Sequence, residues 1–218
     1  MTVTSPRLVV APLLFLFLIV SACGGSSRTP AATTAAPAPE MTAGKVTRPI
    51  TRADVDFMTG MIAHHAQAVL IAGWAPTHEA SPAIQRLCER VVVGQRDEIA
   101  RMQRWLRDQG EPVPPGEATP DMMPGMDHSA HMPGMLTTEQ LTQLNHATGS
   151  EFDRLFLTFM IQHHQGAIVM VDRLFATQGA GEEERTFRLA SDVYADQTTE
   201  IDRMQKMLAV LPPQGQGQ

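Results

Sequence analysis

An octapeptide that occurs twice constrains this chain more than any other feature. Met61-Ile62-Ala63-His64-His65-Ala66-Gln67-Ala68 returns 99 residues later as Met160-Ile161-Gln162-His163-His164-Gln165-Gly166-Ala167. Around each copy the apolar residues recur at intervals of three and four, the period of a helix with one buried face. Phe57, Met61, His64, Ala68 and Ile71 form the first stripe, and Phe156, Met160, His163, Ala167 and Met170 the second. A histidine therefore interrupts each hydrophobic face. Residues three and four apart are neighbours on a helix, so Met61 lies beside His64 and His65, and Met160 beside His163 and His164. Each copy is a compact thioether and imidazole cluster, and Ala68 and Ala167 leave room beside it for another helix or an ion. A lone histidine on such a face reads first as a core residue hydrogen-bonded to a partner helix. Two duplicated pairs bring metal ligation level with that reading.

A second repeat accompanies the first. The segment from Gln95 to Leu106 is matched 102 residues later by Gln197 to Leu208, both with the pattern Gln-x-x-Glu-Ile-x-x-Met. Two copies of a hairpin, each a His-His helix followed by a Gln-x-x-Glu-Ile helix, predict an all-α fold: a pseudo-symmetric four-helix bundle over residues 49–211. Val92, Gln95, Ile99, Met102 and Leu106 are expected to face the core, matched by Tyr194, Gln197, Ile201, Met204 and Leu208. In this arrangement His64 and His163 occupy equivalent levels. Gln95, Glu98, Gln197 and Glu200 are then the nearest polar partners, either orienting metal-bound imidazoles or closing a metal-free hydrogen-bond network with them. Met58, Met102, Met170, Met204 and Met207 stand at core spacing and read as packing.

Helix ends are marked by local chemistry. Thr51 and Asp54 read as a capping pair for the first helix, and Ser150 with Asp153 repeats them. Ser81-Pro82 reads as a cap followed by a first-turn proline, and Gly110 as the terminator of the second helix.

The connector from Glu111 to Leu136 is longer than compact domains usually tolerate without a function or disorder to explain it. It carries Met-Pro-Gly-Met twice, with His128 and His131 between the copies. Pro-Gly favours a tight turn that brings its flanking methionines together. Thioether sulfur suits Cu(I), and imidazole suits copper in either oxidation state. Met123, Met126, His128, His131, Met132 and Met135 are therefore candidate copper ligands, against the alternative of a methionine-rich linker.

At the start of the chain, Arg7 precedes an apolar run from Leu8 to Val20 that is short for a membrane span and has the layout of a secretory leader. Val20-Ser21-Ala22-Cys23 resembles a bacterial lipobox. This makes residues 1–22 a signal peptide, Cys23 the lipidated first residue of the mature chain, and residues 23–48, rich in Ala, Thr, Pro and Gly, a disordered tether. Residues 212–218 read as a tail. The expected location is the extracytoplasmic face of the cell membrane, reached through a lipid anchor. Loss of the leader moves the formal charge from −6 to −7, and an acidic chain with no basic cluster argues against nucleic acid as a partner. Cys88, the one cysteine left, sits on an apolar stripe and reads as a small core residue.

The paired Met-Ile-x-His-His-x-x-Ala motif, the segment Glu151-Phe152-Asp153-Arg154-Leu155-Phe156 and the Gln-x-x-Glu-Ile-x-x-Met helices together resemble the bacterial domain-of-unknown-function family numbered three-hundred-and-five. The resemblance spans about Thr51 to Leu211. It departs at Ala63, where the family often has proline, and that leaves the histidines untouched. It implies a ferritin-like four-helix bundle, some members of the family being envelope copper-binding proteins linked to copper resistance. The expectation is a lipoprotein that sequesters or buffers copper, preferably Cu(I), with no catalytic residues. Met61, His64, His65, Met160, His163 and His164 are its core ligands, the connector supplies further donors, and a copper-exchange partner is left open. The alternatives are a ferritin-like di-metal oxidase, which needs more carboxylates than Glu98 and Glu200 at the histidine level, and a helical domain with a purely architectural histidine network.

Overall fold

The structure, a computed structural model, describes residues 48–118 and 132–212. The leader, Cys23, the tether, the end of the tail and the connector donors Met123, Met126, His128 and His131 lie outside the described residues. Those described contain five helices: α1 (Arg52–Ala72), α2 (Pro82–Gln109), α3 (Thr138–His146), α4 (Gly149–Ala176) and α5 (Glu184–Val210). The four long ones form the bundle, α1 pairing with α2 and α4 with α5 as antiparallel hairpins, while α1 and α4 join the two. The short α3 is an addition to the expected plan. It packs on α4 and carries its own capping box, Thr137 with Gln140. None of the described helices is long and apolar enough to cross a membrane.

The duplicated hairpins are tied to each other by a pair of equivalent aspartates. Thr51 and Asp54 form the expected capping box, Asp54 Oδ2 accepting from the Thr51 amide at 2.6 Å. The other oxygen, Oδ1, accepts from the amide of Gly181, in the turn before α5, at 2.7 Å. Asp153 is the counterpart of Asp54, yet it is no cap. The α4 N-cap is Thr148, without a side-chain bond, and Asp153 instead accepts from the amide of Ser81 at 3.1 and 3.3 Å. Ser81 in turn is the α2 N-cap by position only, since its side chain makes no capping bond. Each aspartate, one turn into a His-His helix, thus holds the turn that starts the second helix of a hairpin. At the far end of α2, Gly110 closes the helix as expected, at φ +73°.

Two apolar clusters fill the bundle. One gathers Ile71, Leu87, Val91, Leu144, Phe152, Phe156 and Met160, and the other Met58, Met61, Ile62, Ile99, Trp105, Val171 and Val193. On every long helix the stretch between the two clusters carries the polar residues of the repeats: His64 and His65, Gln95 and Glu98, His163 and His164, Gln197 and Glu200. All eight belong to a polar layer at mid-height. The α5 face differs from the expected stripe, because Val193 is buried and Tyr194 is 44% exposed, with Ile201 and Leu208 only half-buried. Cys88 is buried in the core, and burial pushes its thiol up to about 12.

Candidate metal centre

Helix α1 delivers His64 and His65, and α4 delivers His163 and His164, all four without solvent exposure. The stripe residues meet at the middle of the bundle, where the His64 and His163 rings lie 3.8 Å apart and tilted by 37°. Their chain neighbours stand further off, His65 at 6.3 Å from His64 and His164 at 6.2 Å from His163, between ring centroids. Met61 and Met160 are fully buried one helical turn earlier. The two histidine pairs therefore meet at one level of the core.

Hydrogen bonding sets the tautomers. His65 donates from Nε2 to Glu98 Oε2, and His164 from Nε2 to Glu200 Oε2, each at 2.6 Å. His64 donates from Nε2 to the carbonyl of Pro133 at 3.1 Å. A carbonyl only accepts, so the proton sits on Nε2 and the lone pair on Nδ1. The Nδ1 atoms of His64, His65 and His164 have no protein partner, and neither nitrogen of His163 has one. Burial, then the neighbouring His65 and His164, pushes His64 down to about 3, against the attraction of the Pro133 carbonyl for its proton. Burial and the other three histidines hold His163 well below its ordinary range. Both are neutral near pH 7, the state in which imidazole is a ligand.

Glu98 and Glu200 are the polar partners of His65 and His164, an arrangement common to both expected readings. Gln95 and Gln197 do not bond the histidines: both atoms of the Gln95 amide and Oε1 of Gln197 are buried without a partner. The glutamate one turn further along each helix takes the Nε2 atom of the facing histidine instead.

A strap that sequence reasoning missed covers the site. The connector returns as Met132–Leu136 and lies directly on α4 at Gly166, where a Cβ would sit 1.9 Å from the Pro133 carbonyl oxygen. Gly134 makes the turn at φ +79°, a conformation that favours glycine. On the α1 side, Gln67 Oε1 accepts from the Leu136 amide at 2.8 Å and its Nε2 donates to the Leu136 carbonyl at 3.2 Å. Gln67 and Gly166 hold the same place in the two octapeptides. That break in the repeat is the signal from which the strap could have been found. Of the expected connector donors, Met135 is buried and Met132 half-buried. Met132 Sδ and Met170 Cε both reach the notch above Gly60, at 3.9 and 3.3 Å from where a Cβ would stand.

Among the described residues no three His, Cys, Asp or Glu side chains converge on one point that would hold a metal ion. What the core offers is a set of partnerless imidazole nitrogens with buried thioethers on the same helical faces. Such donors fit a soft ion of low coordination number, for which two or three N and S ligands suffice.

Four long helices in two repeated hairpins, with a layer of buried imidazoles between apolar ends, define a ferritin-like bundle with a histidine core. The chain belongs to the family described as a domain of unknown function (DUF305), which it matches over residues 54–208. A crystal structure of a DUF305 fragment from Deinococcus radiodurans is 27% identical with a TM-score of 0.61, covering 74% of this chain and 98% of that one. A putative secreted DUF305 protein from Streptomyces coelicolor is 26% identical with a TM-score of 0.58, covering 72% and 92%. CopM in its Cu(II)-bound form is 28% identical with a TM-score of 0.57, covering 72% and 95%. In its Cu(I)-bound form the identity is 27% and the TM-score 0.54, over the same shares. No curated protein matches the chain.

Proposed function

We propose that the protein binds copper to sequester or buffer it, preferably as Cu(I), on the extracytoplasmic face of the cell membrane, held there by a lipid on Cys23. One observation carries the metal reading: five buried imidazole nitrogens of His64, His65, His163 and His164 lack any protein partner. An unpartnered buried polar atom costs about 1 to 3 kcal/mol, and a bound ion removes that cost. The similarity to CopM, solved with Cu(II), Cu(I) and Ag, gives the ion its class.

In this reading the protein's residues act in three ways. Glu98, Glu200 and the Pro133 carbonyl fix the tautomer so that Nδ1 carries the lone pair, as outer partners of ligating histidines do. Met61 and Met160 add soft donors, and the packed bundle excludes water and competing hard ions. Met132 and Met135, with Met123, Met126, His128 and His131 earlier in the connector, form the receiving end for copper from a donor or partner. No reaction is assigned. An oxidase of the ferritin kind needs a carboxylate-dominated core, whereas Glu98 and Glu200 are engaged by His65 and His164.

Anaerobic Cu(I) titration against a chromophoric chelator tests the proposal. Wild type should bind Cu(I), a His64→Ala and His163→Ala double variant should lose the core ion, and deletion of residues 122–131 should lower the stoichiometry while leaving the core ion bound. Copper binding no stronger than the double variant's would assign the histidines an architectural role. Fractionation tests the anchor: Cys23→Ala should shift the protein from membrane to soluble fractions.

A further inference from the structure

The outer face of α5 carries an uncharged stripe. Phe187, Ser191, Tyr194, Ala195 and Thr198 share one side of the helix at intervals of three and four, and none is buried. The Thr198 hydroxyl donates to the Tyr194 carbonyl at 2.7 Å, so it asks little of water. The charged residues of the same stretch, Arg188, Asp192 and Asp196, line the α2 side instead. Phe175 extends the stripe onto α4. Its ring lies 5.6 Å from that of Phe187 and covers Gly181, where a Cβ would stand 2.7 Å from it. Phe175, Phe187 and Tyr194 are 41%, 57% and 44% exposed, which leaves on the order of 300 Å² of aromatic residue uncovered.

The position of the stripe in the fold points to what covers it. The turn before α5 meets the start of α1: Gly181 donates to Asp54, Glu182 pairs with Arg48, and a Cβ on Gly179 would stand 3.8 Å from Thr51. The Phe175 and Phe187 rings thus stand at the end of the bundle from which the chain runs back, over 25 residues, from Arg48 to Cys23. Even fully extended, that length reaches at most about 90 Å. A lipid on Cys23 therefore confines the bundle near the bilayer and gives a weak contact a high effective concentration. A stable protein interface needs about 800 Å² from each partner, far more than the stripe offers, whereas a tethered bundle needs only a small apolar contact.

We infer that the stripe of Phe175, Phe187 and Tyr194 rests on the lipid bilayer, its aromatic rings at the boundary between headgroups and acyl chains. This rests on the lipid anchor proposed at Cys23. Aromatic rings favour that level of a membrane, and an amphipathic helix lies in its plane with the apolar face down. Because the stripe is uncharged, the contact depends on apolar burial and not on anionic headgroups. It also orients the bundle, with α5 towards lipid. Val93 of α2, 70% exposed, stays in water, since Glu89, Arg90, Arg96 and Asp97 flank it at three and four residues.

Fluorescence quenching by brominated lipid tests the contact. The lipidated protein is reconstituted in phosphatidylcholine vesicles with brominated acyl chains, and a tryptophan is introduced by Phe187→Trp or, as control, by Val93→Trp. Relative to plain vesicles, the emission added by Phe187→Trp should fall at least about twofold and that added by Val93→Trp should not change. The quenching should persist between about 0.1 and 0.5 M salt, and with fewer chains than vesicles. Vesicles that carry the protein but leave Phe187→Trp unquenched overturn the inference. So does equal quenching at the two positions, quenching lost in salt, or quenching only when chains crowd on one vesicle, the mark of a second copy. Protein that does not float with the vesicles at all counts against the Cys23 anchor. Coupling that thiol to a maleimide phospholipid, for which the buried Cys88 does not compete, then supplies the tether, and the same outcomes decide.

Discussion

Acid should loosen the metal-free bundle through two particular side chains. His64 is held near 3 and His163 well below its ordinary value of 6.5, both by burial first and by their imidazole neighbours second. In the unfolded chain both return to about 6.5. A histidine whose folded pKa is depressed lets the unfolded state bind more protons, so its effect on stability appears as the pH falls below 6.5 and grows until the folded pKa is reached. Between pH 7 and pH 5 the linkage amounts to about 2 kcal/mol for His64, and His163 adds to it in the same direction. That is a large share of the 5 to 15 kcal/mol typical of a domain. Urea unfolding of chelator-treated protein, followed by circular dichroism, should show the midpoint falling by at least about 1 M over this range for a slope near 2 kcal/mol/M. His163→Leu keeps the volume, removes one titrating group and should make the fall smaller. A midpoint that holds steady or rises from pH 7 to pH 5 would refute the reasoning, as would a His163→Leu variant as acid-sensitive as wild type.

Other perturbations separate the roles of neighbouring residues. Gly166→Ala drives a methyl into the Pro133 carbonyl, so the strap should lift, His64 lose its partner, and the melting temperature fall by the equivalent of about 1 to 3 kcal/mol. Gly94→Ala, which meets nothing, should raise stability by about 0.5 to 1 kcal/mol in urea unfolding. His65→Leu leaves Glu98 buried without its closest partner and should cost about 3 kcal/mol in urea unfolding, whereas His163→Leu, which strands no carboxylate, should cost little at pH 7. Cys88, buried with its thiol held up near 12, should resist thiol-labelling reagents at pH 8 until urea unfolds the chain, so labelling of the native protein at the rate of an exposed thiol would count against its place in the core.

Much of the bundle was legible from periodicity and repetition. The stripe through Met61 and His64, its copy through Met160 and His163, and the matching Glu98 and Glu200 were readable because helical spacing is a local property of the chain. The Thr51–Asp54 box and the Gly110 terminator were readable for the same reason. Where a residue's partner lies on another element, the repeat misled. Asp153 copies Asp54 in position and, like it, reaches an amide across the bundle, yet it caps nothing. Val193 took the place expected for Tyr194, since adjacent residues differ by only about 100° around a helix. Small differences in the roll of α5 against α4 decide which of them is covered.

The strap is the clearest case of what tertiary structure decided. By itself the sequence determined two His-His helices, two Gln-x-x-Glu-Ile helices and a connector ending in Met-Pro-Gly-Met, each set by spacing within a few turns of chain. That Pro133 reaches His64, that Gly166 admits it and that Gln67 clips Leu136 depends on the gap between α1 and α4. The same holds for the Gln95 amide, which no group on the opposing helices satisfies. A buried polar atom takes whatever the opposing surface offers at about 3 Å, and that surface comes into being only when the two hairpins pack.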